Sequence, residues 1–362
     1  MKPKTIKTRS GNLKLPIFFP DATRAVLRTL DSVDIKNTKT PGVLVNTYHL
    51  YRELGERVIK DFKGVGNFMS WDGGLISDSG GFQVMSLAKK GGGGRITDEG
   101  VFFRTTSGRE IKLTPEKSIE FQMTLKTDMV VVLDDFTPPG VNRKEAKLTI
   151  DRTLDWAKRS KAEFEKQCKK LGLSKNERPY ILGVVQGGDY KDLRKECAKE
   201  LAEIGFDGFG YGGWPVLEDG SFDYESAKVI ARFTPDDYFL YGLGVGKPEE
   251  IVVLNGMGYG IFDCVLPTRD ARHKRLYVYN AEKMEDIDVF SPDFYRYLVP
   301  DKQKYFKDKS PISTACDCLT CTKYSKAYLG HLFRVGDISA MRLATIHNLR
   351  FYSILMEKLA KS

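Results

Sequence analysis

Eight short apolar runs recur along the chain, and each ends in polar residues or glycines: 15–22, 42–49, 75–81, 129–135, 180–188, 208–215, 238–246 and 260–269. Runs this apolar suit strands buried on both faces, as in a parallel sheet. Helical patterns fall between several of them. Residues 115–126 open with Pro at a helix start, 143–170 are long, charged and periodic, and 190–204 and 247–256 also read as helices. Eight strands alternating with helices predict a (β/α)8 TIM barrel, with a doubly wound open sheet as the alternative.

Two stretches stand outside the repeat. Residues 84–114 carry a Gly run and then an alternating segment, which predicts a small β insertion after strand 3. Residues 285–362 are helical and hold the cluster Cys316, Cys318 and Cys321. The expected organisation is a catalytic barrel over 1–284, with the insertion at about 84–114, and a helical subdomain over 285–362 packed on it.

No apolar run approaches the roughly 20 residues that span a bilayer. The basic start, MKPKTIKTRSGN, has no apolar core after it, so a secretory signal is not expected and the cytoplasm is the expected location. The net charge is +9, which favours polyanions because each neutralised phosphate releases counterions. Of six cysteines, three crowd together and three are scattered, unlike a disulfide framework.

In a (β/α)8 barrel the active site lies at the C-terminal ends of the strands. The run ends supply Asp78 and Ser79, Asp134 and Asp135, Gln186 with Gly187 and Gly188, Gly212 and Gly213, and Asp263. Taken singly, an Asp after a strand is a turn former or a helix cap. Together with Gly80 and Gly81 after Ser79, these make four carboxylates, one carboxamide and three glycine pairs, which predict a pocket with carboxylate chemistry. No Ser-His pair stands at these ends, and Cys264 beside Asp263 should point to the other face of its strand. Two carboxylates can cleave a bond at an anomeric carbon, one attacking and the other handling the proton. A further carboxylate beside a carboxamide can read a purine edge, and glycines let backbone approach a flat base. The residues alone point to glycosidic bond chemistry on a nucleoside.

At this point the motifs become specific. SDSGGFQV (77–84), TPEKSIEFQ (114–122), GVVQGGDYKDLR (183–194), GVGKPEEI (244–251), FDCVLPTR (262–269) and the segment from CDCLTC (316–321) to HNLRFY (347–352) resemble the tRNA-guanine transglycosylases, in order, over nearly the whole chain. The resemblance implies exchange of the wobble guanine of tRNA for a 7-substituted 7-deazaguanine. It implies Asp263 as the nucleophile that holds the ribose covalently, and Asp78 as general acid and base. It implies a base pocket of Ser79, Phe82, Asp134, Gln186, Gly213, Trp214, Leu243 and Val265. The basic run PTRDARHKR (267–275) follows the nucleophile, and Arg269, Arg272, Lys274 and Arg275 are expected on tRNA. The exchanged base sits in an anticodon loop and must be extruded.

Cys316, Cys318 and Cys321 have thiolate-ligand spacing and need a fourth ligand for tetrahedral zinc. Spacing alone leaves His331 and His347 open; the resemblance implies His347, in a closed structural site. A homodimer is also implied. Departures from the family pattern fall at Phe136, at Trp214 and Pro215, in the run after Asp263 and in FFPDATRAV (18–26). They leave the incoming base open between the aminomethyl precursor and queuine itself. Three alternatives remain at this point: the same chemistry on DNA guanine, a non-catalytic tRNA-binding partner subunit, and a retaining glycoside hydrolase.

Overall fold

A computed structural model describes residues 2–9, 11–81, 94–104 and 110–361. Eight strands form one parallel sheet: β1 (Ile17–Pro20), β2 (Gly42–Asn46), β3 (Gly74–Asp78), β4 (Met129–Val131), β5 (Tyr180–Val185), β6 (Gly208–Tyr211), β7 (Phe239–Gly242) and β8 (Ile261–Cys264). Neighbours follow chain order, and β8 pairs with β1 through Asp263 opposite Phe19. The remaining gap between β1 and β2 closes through a bridge from Asp21 to Leu44, with Ala22 N donating to Leu44 O at 2.7 Å. The sheet is therefore the barrel expected from the eight apolar runs.

Two apolar clusters occupy its two faces. Ile17, Phe19, Leu44, Ile76, Met129, Val131, Leu182, Val184, Phe239, Tyr241 and Ile261 fill the interior. The residues between them in sequence, among them Phe18, Val43, Val130, Ile181, Leu240 and Phe262, face the helices. This alternation is the two-residue period of a strand read on a sheet covered on both sides. An antiparallel pair ahead of β1, Thr5–Thr8 with Gly11–Lys14, adds Ile6 to the interior cluster.

Each strand is followed by a helix: α1 (Ser32–Asn37), α2 (Thr47–Glu53), α3 (Pro115–Leu125), α4 (Arg143–Lys170), α5 (Lys191–Ile204), α6 (Tyr224–Phe233), α7 (Pro248–Gly256) and α8 (Leu266–Arg272). Their starts are written locally. Thr114 caps α3 by accepting from Lys117 N with Pro115 in the first turn, and Asn142 caps α4 by accepting from Glu145 N. Helix α6 was not anticipated from periodicity; Asp223 caps it and anchors Lys191.

The insertion after β3 contributes a three-stranded antiparallel sheet, Arg95–Thr97, Gly100–Arg104 and Glu110–Leu113. It docks on α4: Trp156 Nε1 donates to Asp98 O at 2.8 Å, and Arg159 reaches Asp98 O and Glu116. After α8 come a hairpin, Leu276–Tyr279 with Tyr295–Leu298, and the helices Leu319–Lys323, Lys326–Val335 and α9 (Ser339–Leu359). The hairpin straddles residues 284 and 285, so chain on both sides of that point packs together. Helix α9 lies against β1 and the β7–α7 turn: Tyr352 meets the Phe18 ring at 4.5 Å and donates to Gly246 O at 2.5 Å.

Candidate active site

The inward parity of the strands carries straight into the site. Two residues beyond Phe19, Leu44, Ile76, Val184, Tyr241 and Ile261 stand Asp21, Asn46, Asp78, Gln186, Leu243 and Asp263. These six form the layer above the apolar interior, at the strands' C-terminal ends.

Asp263 ends the interior face of β8. Its Oδ1 accepts from Tyr241 Oη at 2.7 Å and from Gly244 N at 2.8 Å. No donor among the described residues reaches Oδ2. Burial pushes this carboxyl up to about 7, against the pull of those two donors. Burial also drives Tyr241 well above the ordinary range, so it stays a donor.

Asp78 ends β3. Its Oδ2 accepts from Asn46 Nδ2 at 2.8 Å, and the backbone N–H groups of Gly80 and Ser79 also turn to it. Burial raises it to about 6, and the charge of Asp21 adds to the rise. Gly80 has φ +86°, and a Cβ there would lie 2.5 Å from Tyr48 Cβ, so only glycine turns the chain at this point. Ser79 is buried beside it.

Asp134 breaks the parity. Strand β4 leaves the sheet after Val131, so Asp134 rather than a neighbour faces Gln186, whose Nε2 donates to Asp134 Oδ2 at 2.6 Å. The Gln186 carbonyl accepts from Thr137 N at 3.1 Å, which fixes the orientation of its amide. Burial raises Asp134 to about 7. Asp135, expected at the same strand end, turns away into an ion pair with Arg152 at 2.5 Å. Leu243 packs on the interior cluster, in space that a Cβ at Gly210 would close.

Other expected residues are less converged. Gly213 has φ +90° beside Gln186. Trp214 next to it is 51% exposed, whereas Phe136 is buried. Val265 sits at the start of α8. Phe82 lies outside the described residues. Cys264 packs outward on the helix-facing cluster, as strand alternation requires.

The basic run divides in two. The charges of Arg28, Arg269 and Asp21 are felt by Arg272, whose Nη1 is buried without a hydrogen-bond partner among the described residues. Lys274 instead pairs with Asp301 at 2.7 Å, and Arg275 lies over the Tyr297 ring at 5.0 Å.

Sequence reasoning missed Asp21, Asn46, Tyr241 and Arg194. The first three share the inward parity of the strand ends, a signal that could have found them. Arg194 on α5 is 1% exposed and donates to Gly188 O at 2.9 Å, Val185 O at 3.2 Å and Gly212 O at 2.9 Å. It ties the ends of β5 and β6, from which Gln186 and Gly213 extend. No pattern within α5 marks that role.

Cys316, Cys318, Cys321 and His347 are all buried, and their ligand atoms lie within 4.8 Å of one another. His347 Nε2 lies 2.8 Å from Tyr277 O, so the proton belongs there and the Nδ1 lone pair faces the thiols, 3.2 Å from Cys321 Sγ. Three thiols and one oriented imidazole could hold a metal ion. His331 is exposed on its helix, away from the cluster.

The fold and this site define a class: a barrel enzyme whose strand ends gather buried carboxylates and a carboxamide in one pocket. Comparison with known proteins narrows it. A family model described as queuine tRNA-ribosyltransferase matches residues 3–362. The queuine tRNA-ribosyltransferase of Staphylococcus haemolyticus is 37% identical over 361 residues, covering 99% of this chain and 87% of that protein. That of Vibrio atlanticus is 39% identical over 354 residues, covering 97% and 86%. The chain belongs to the queuine tRNA-ribosyltransferase family, the pentosyltransferases that act as tRNA-guanine transglycosylases.

Proposed function

We propose that this protein replaces a guanine in the anticodon loop of tRNA with a 7-substituted 7-deazaguanine through a covalent aspartyl-ribosyl intermediate. The observation that carries the reading is the Asp263 carboxylate. Its Oδ1 is held by Tyr241 and Gly244, which leaves Oδ2 to attack, with Asp78 in the same layer.

The bond from Asp263 Oδ2 to the anomeric carbon forms as the glycosidic bond breaks, and its electron pair stays on guanine. Asp78, raised to about 6, gives the departing base its proton and is left as the carboxylate. That carboxylate then takes the N–H proton of the incoming base. The freed nitrogen attacks the anomeric carbon and releases Asp263. Asp134 accepts from the N–H groups of the base edge while the Gln186 side chain and the Gly213 backbone contact the same base. Arg269 and Arg272 are placed to contact phosphates.

The metal at Cys316, Cys318, Cys321 and His347 is zinc in this reading. It is suited by the thiol and imidazole donors and serves to stabilise the C-terminal helices. The protein acts as a homodimer in the cytoplasm, where its tRNA substrate is found. Exposed Val335 and Ile338 are candidates for the subunit contact, and sedimentation equilibrium tests it.

The decisive experiment incubates the protein with tRNA and a 7-deazaguanine, followed by denaturing electrophoresis. A band at the summed mass of protein and tRNA, absent for Asp263→Asn, is the expected result. Exchange of radiolabelled guanine without such a band would remove the covalent step, and no exchange at all would remove the reading.

A further inference from the structure

The site places its parts around the barrel in a definite order. Asp134, Gln186 and Gly213 stand on β4, β5 and β6. The two carboxylates that face the anomeric carbon stand on β8 and β3. A base lying against β4–β6 with its anomeric carbon between Asp263 and Asp78 must send its sugar toward β1 and β2. Asp21 stands there, one layer above Phe19 at the mouth of β1.

Asp21 has no part in the exchange as derived above. Its Oδ1 is anchored by Thr23, whose backbone N donates at 2.8 Å and whose hydroxyl donates to the same oxygen. Among the described residues no donor reaches Oδ2 and no cation comes within ion-pair distance of it. The side chain is half-buried, and burial raises its carboxyl. A carboxylate held in one orientation with one oxygen free, facing a site, is an acceptor awaiting a donor. Beyond it lie Arg28, Arg269 and Arg272, the last with a buried nitrogen lacking a partner. The order from β5 outward is thus base reader, reacting carboxylates, Asp21, then cations, which matches base, anomeric carbon, sugar and phosphate.

We propose that Asp21 is a specificity-determining residue that accepts a hydrogen bond from the 2′-hydroxyl of the ribose under attack, and so favours RNA over DNA. The 2′-hydroxyl is the donor that RNA has and DNA lacks. The sugar needs no cationic partner for this, whereas a carboxylate facing deoxyribose would stay desolvated and unpaired. The inference rests on the transglycosylase reading and sharpens its substrate.

The test uses the full chain and two anticodon stem-loops that differ only in guanosine or 2′-deoxyguanosine at the exchanged position. Exchange of radiolabelled guanine is measured for the unmodified enzyme, Asp21→Ala and Asp21→Asn. The unmodified enzyme should favour the ribose substrate in kcat/KM by about 10-fold or more, the usual effect of losing a hydrogen bond to a charged group. Asp21→Ala should lose about 10-fold on ribose and less than about 3-fold on deoxyribose, collapsing the ratio. Asp21→Asn keeps one acceptor oxygen and should hold an intermediate ratio. An equal loss on both substrates would mark a structural role and overturn the proposal. So would a ratio unchanged in Asp21→Ala, or a raised KM confined to a cationic aminomethyl base. No exchange by the unmodified enzyme on any RNA would instead overturn the transglycosylase reading, and this proposal with it.

Discussion

Asp78 and Asp263 in the layer above the apolar interior, and Asp134 hydrogen-bonded to Gln186 of that layer, are each raised by burial: Asp78 to about 6, Asp134 and Asp263 to about 7. Their interaction makes the titration a property of the group. In the proposed reaction Asp263 attacks only when ionised and Asp78 donates only when protonated, so kcat/KM should follow a bell in pH whose acid limb falls below about 7. Tyr241 donates to the ionised form; Tyr241→Phe removes that donor and raises the Asp263 carboxyl further. The acid limb should therefore move to higher pH, by about one unit for one charged hydrogen bond. A pH profile of kcat/KM from 5 to 9 checks this, and an unmoved limb would separate Tyr241 from the nucleophile. The same raised carboxyl has a sign for stability. Between the ordinary carboxylate range and about 7 the folded state binds the extra proton, so stability falls as pH rises through that window and stays lower above it. Asp263→Asn removes the buried charge and should melt about 1–3 °C higher than the unmodified protein at pH 8, by calorimetry. A lower melting temperature would mean that the hydrogen bonds to Asp263 outweigh its desolvation. At this scale Asp78, Asp134, Gln186 and Asp263 were legible because each ends an apolar run. Asp21 and Tyr241 are not legible from their own runs, since their meaning comes from the parity of neighbouring strands. Asp135 was over-read, because β4 ends early and turns that side chain to Arg152.

Elements hold this layer in place through contacts that no single element announces. Helix α5 buries the Arg194 guanidinium under three carbonyls from the ends of β5 and β6. A lysine has one compact ammonium and cannot span the same acceptors. Arg194→Lys should raise the KM for the free base about 10-fold and lower the melting temperature by a few degrees, with carbonyls left unpaired in a buried site. An unchanged KM would show that the β5 and β6 ends keep their shape without the clamp. Helix α9 and the Cys cluster make the second case. His347 lies on the helix that packs against β1 and α8, and Cys316, Cys318 and Cys321 come from the loop and short helix before it. A metal held by these four residues would tie α9 to the chain that precedes it. Removing the metal with a chelator, or changing Cys318→Ser, should lower the melting temperature by about 10 °C, with metal loss followed by mass spectrometry. Equal melting of the metal-free and loaded protein would sink the structural role. The strands and four helices were legible here because burial on two faces and helical period leave strong patterns. Helix α6 was not, and its cap Asp223 is a weak signal in a loop of mixed residues.

Over the whole molecule, the net charge of +9 says only that polyanions are favoured, and two readings of it differ. Either the entire surface attracts tRNA, or a local group does. Many lysines and arginines are already paired: Lys147 lies 2.6 Å from Asp151 and 2.7 Å from Glu196, and Arg143 pairs with Asp192. Such pairs have no counterions to exchange for phosphate. Arg28 and Arg272 interact with Asp21 at the end of β1, and Arg269 interacts with Arg272 at the end of β8. Each phosphate neutralised contributes about 0.7–0.9 to the slope of log affinity against log salt concentration. Three arginines at the rim would supply a slope of about 2–3, and Arg269→Ala should reduce the measured slope by about 1. Lys147→Ala on α4 removes the same formal charge and should leave the slope unchanged. Titrations of tRNA at several salt concentrations with both variants separate the readings. Equal effects would mean that net charge, and not the rim beside the sugar, draws the RNA to the site.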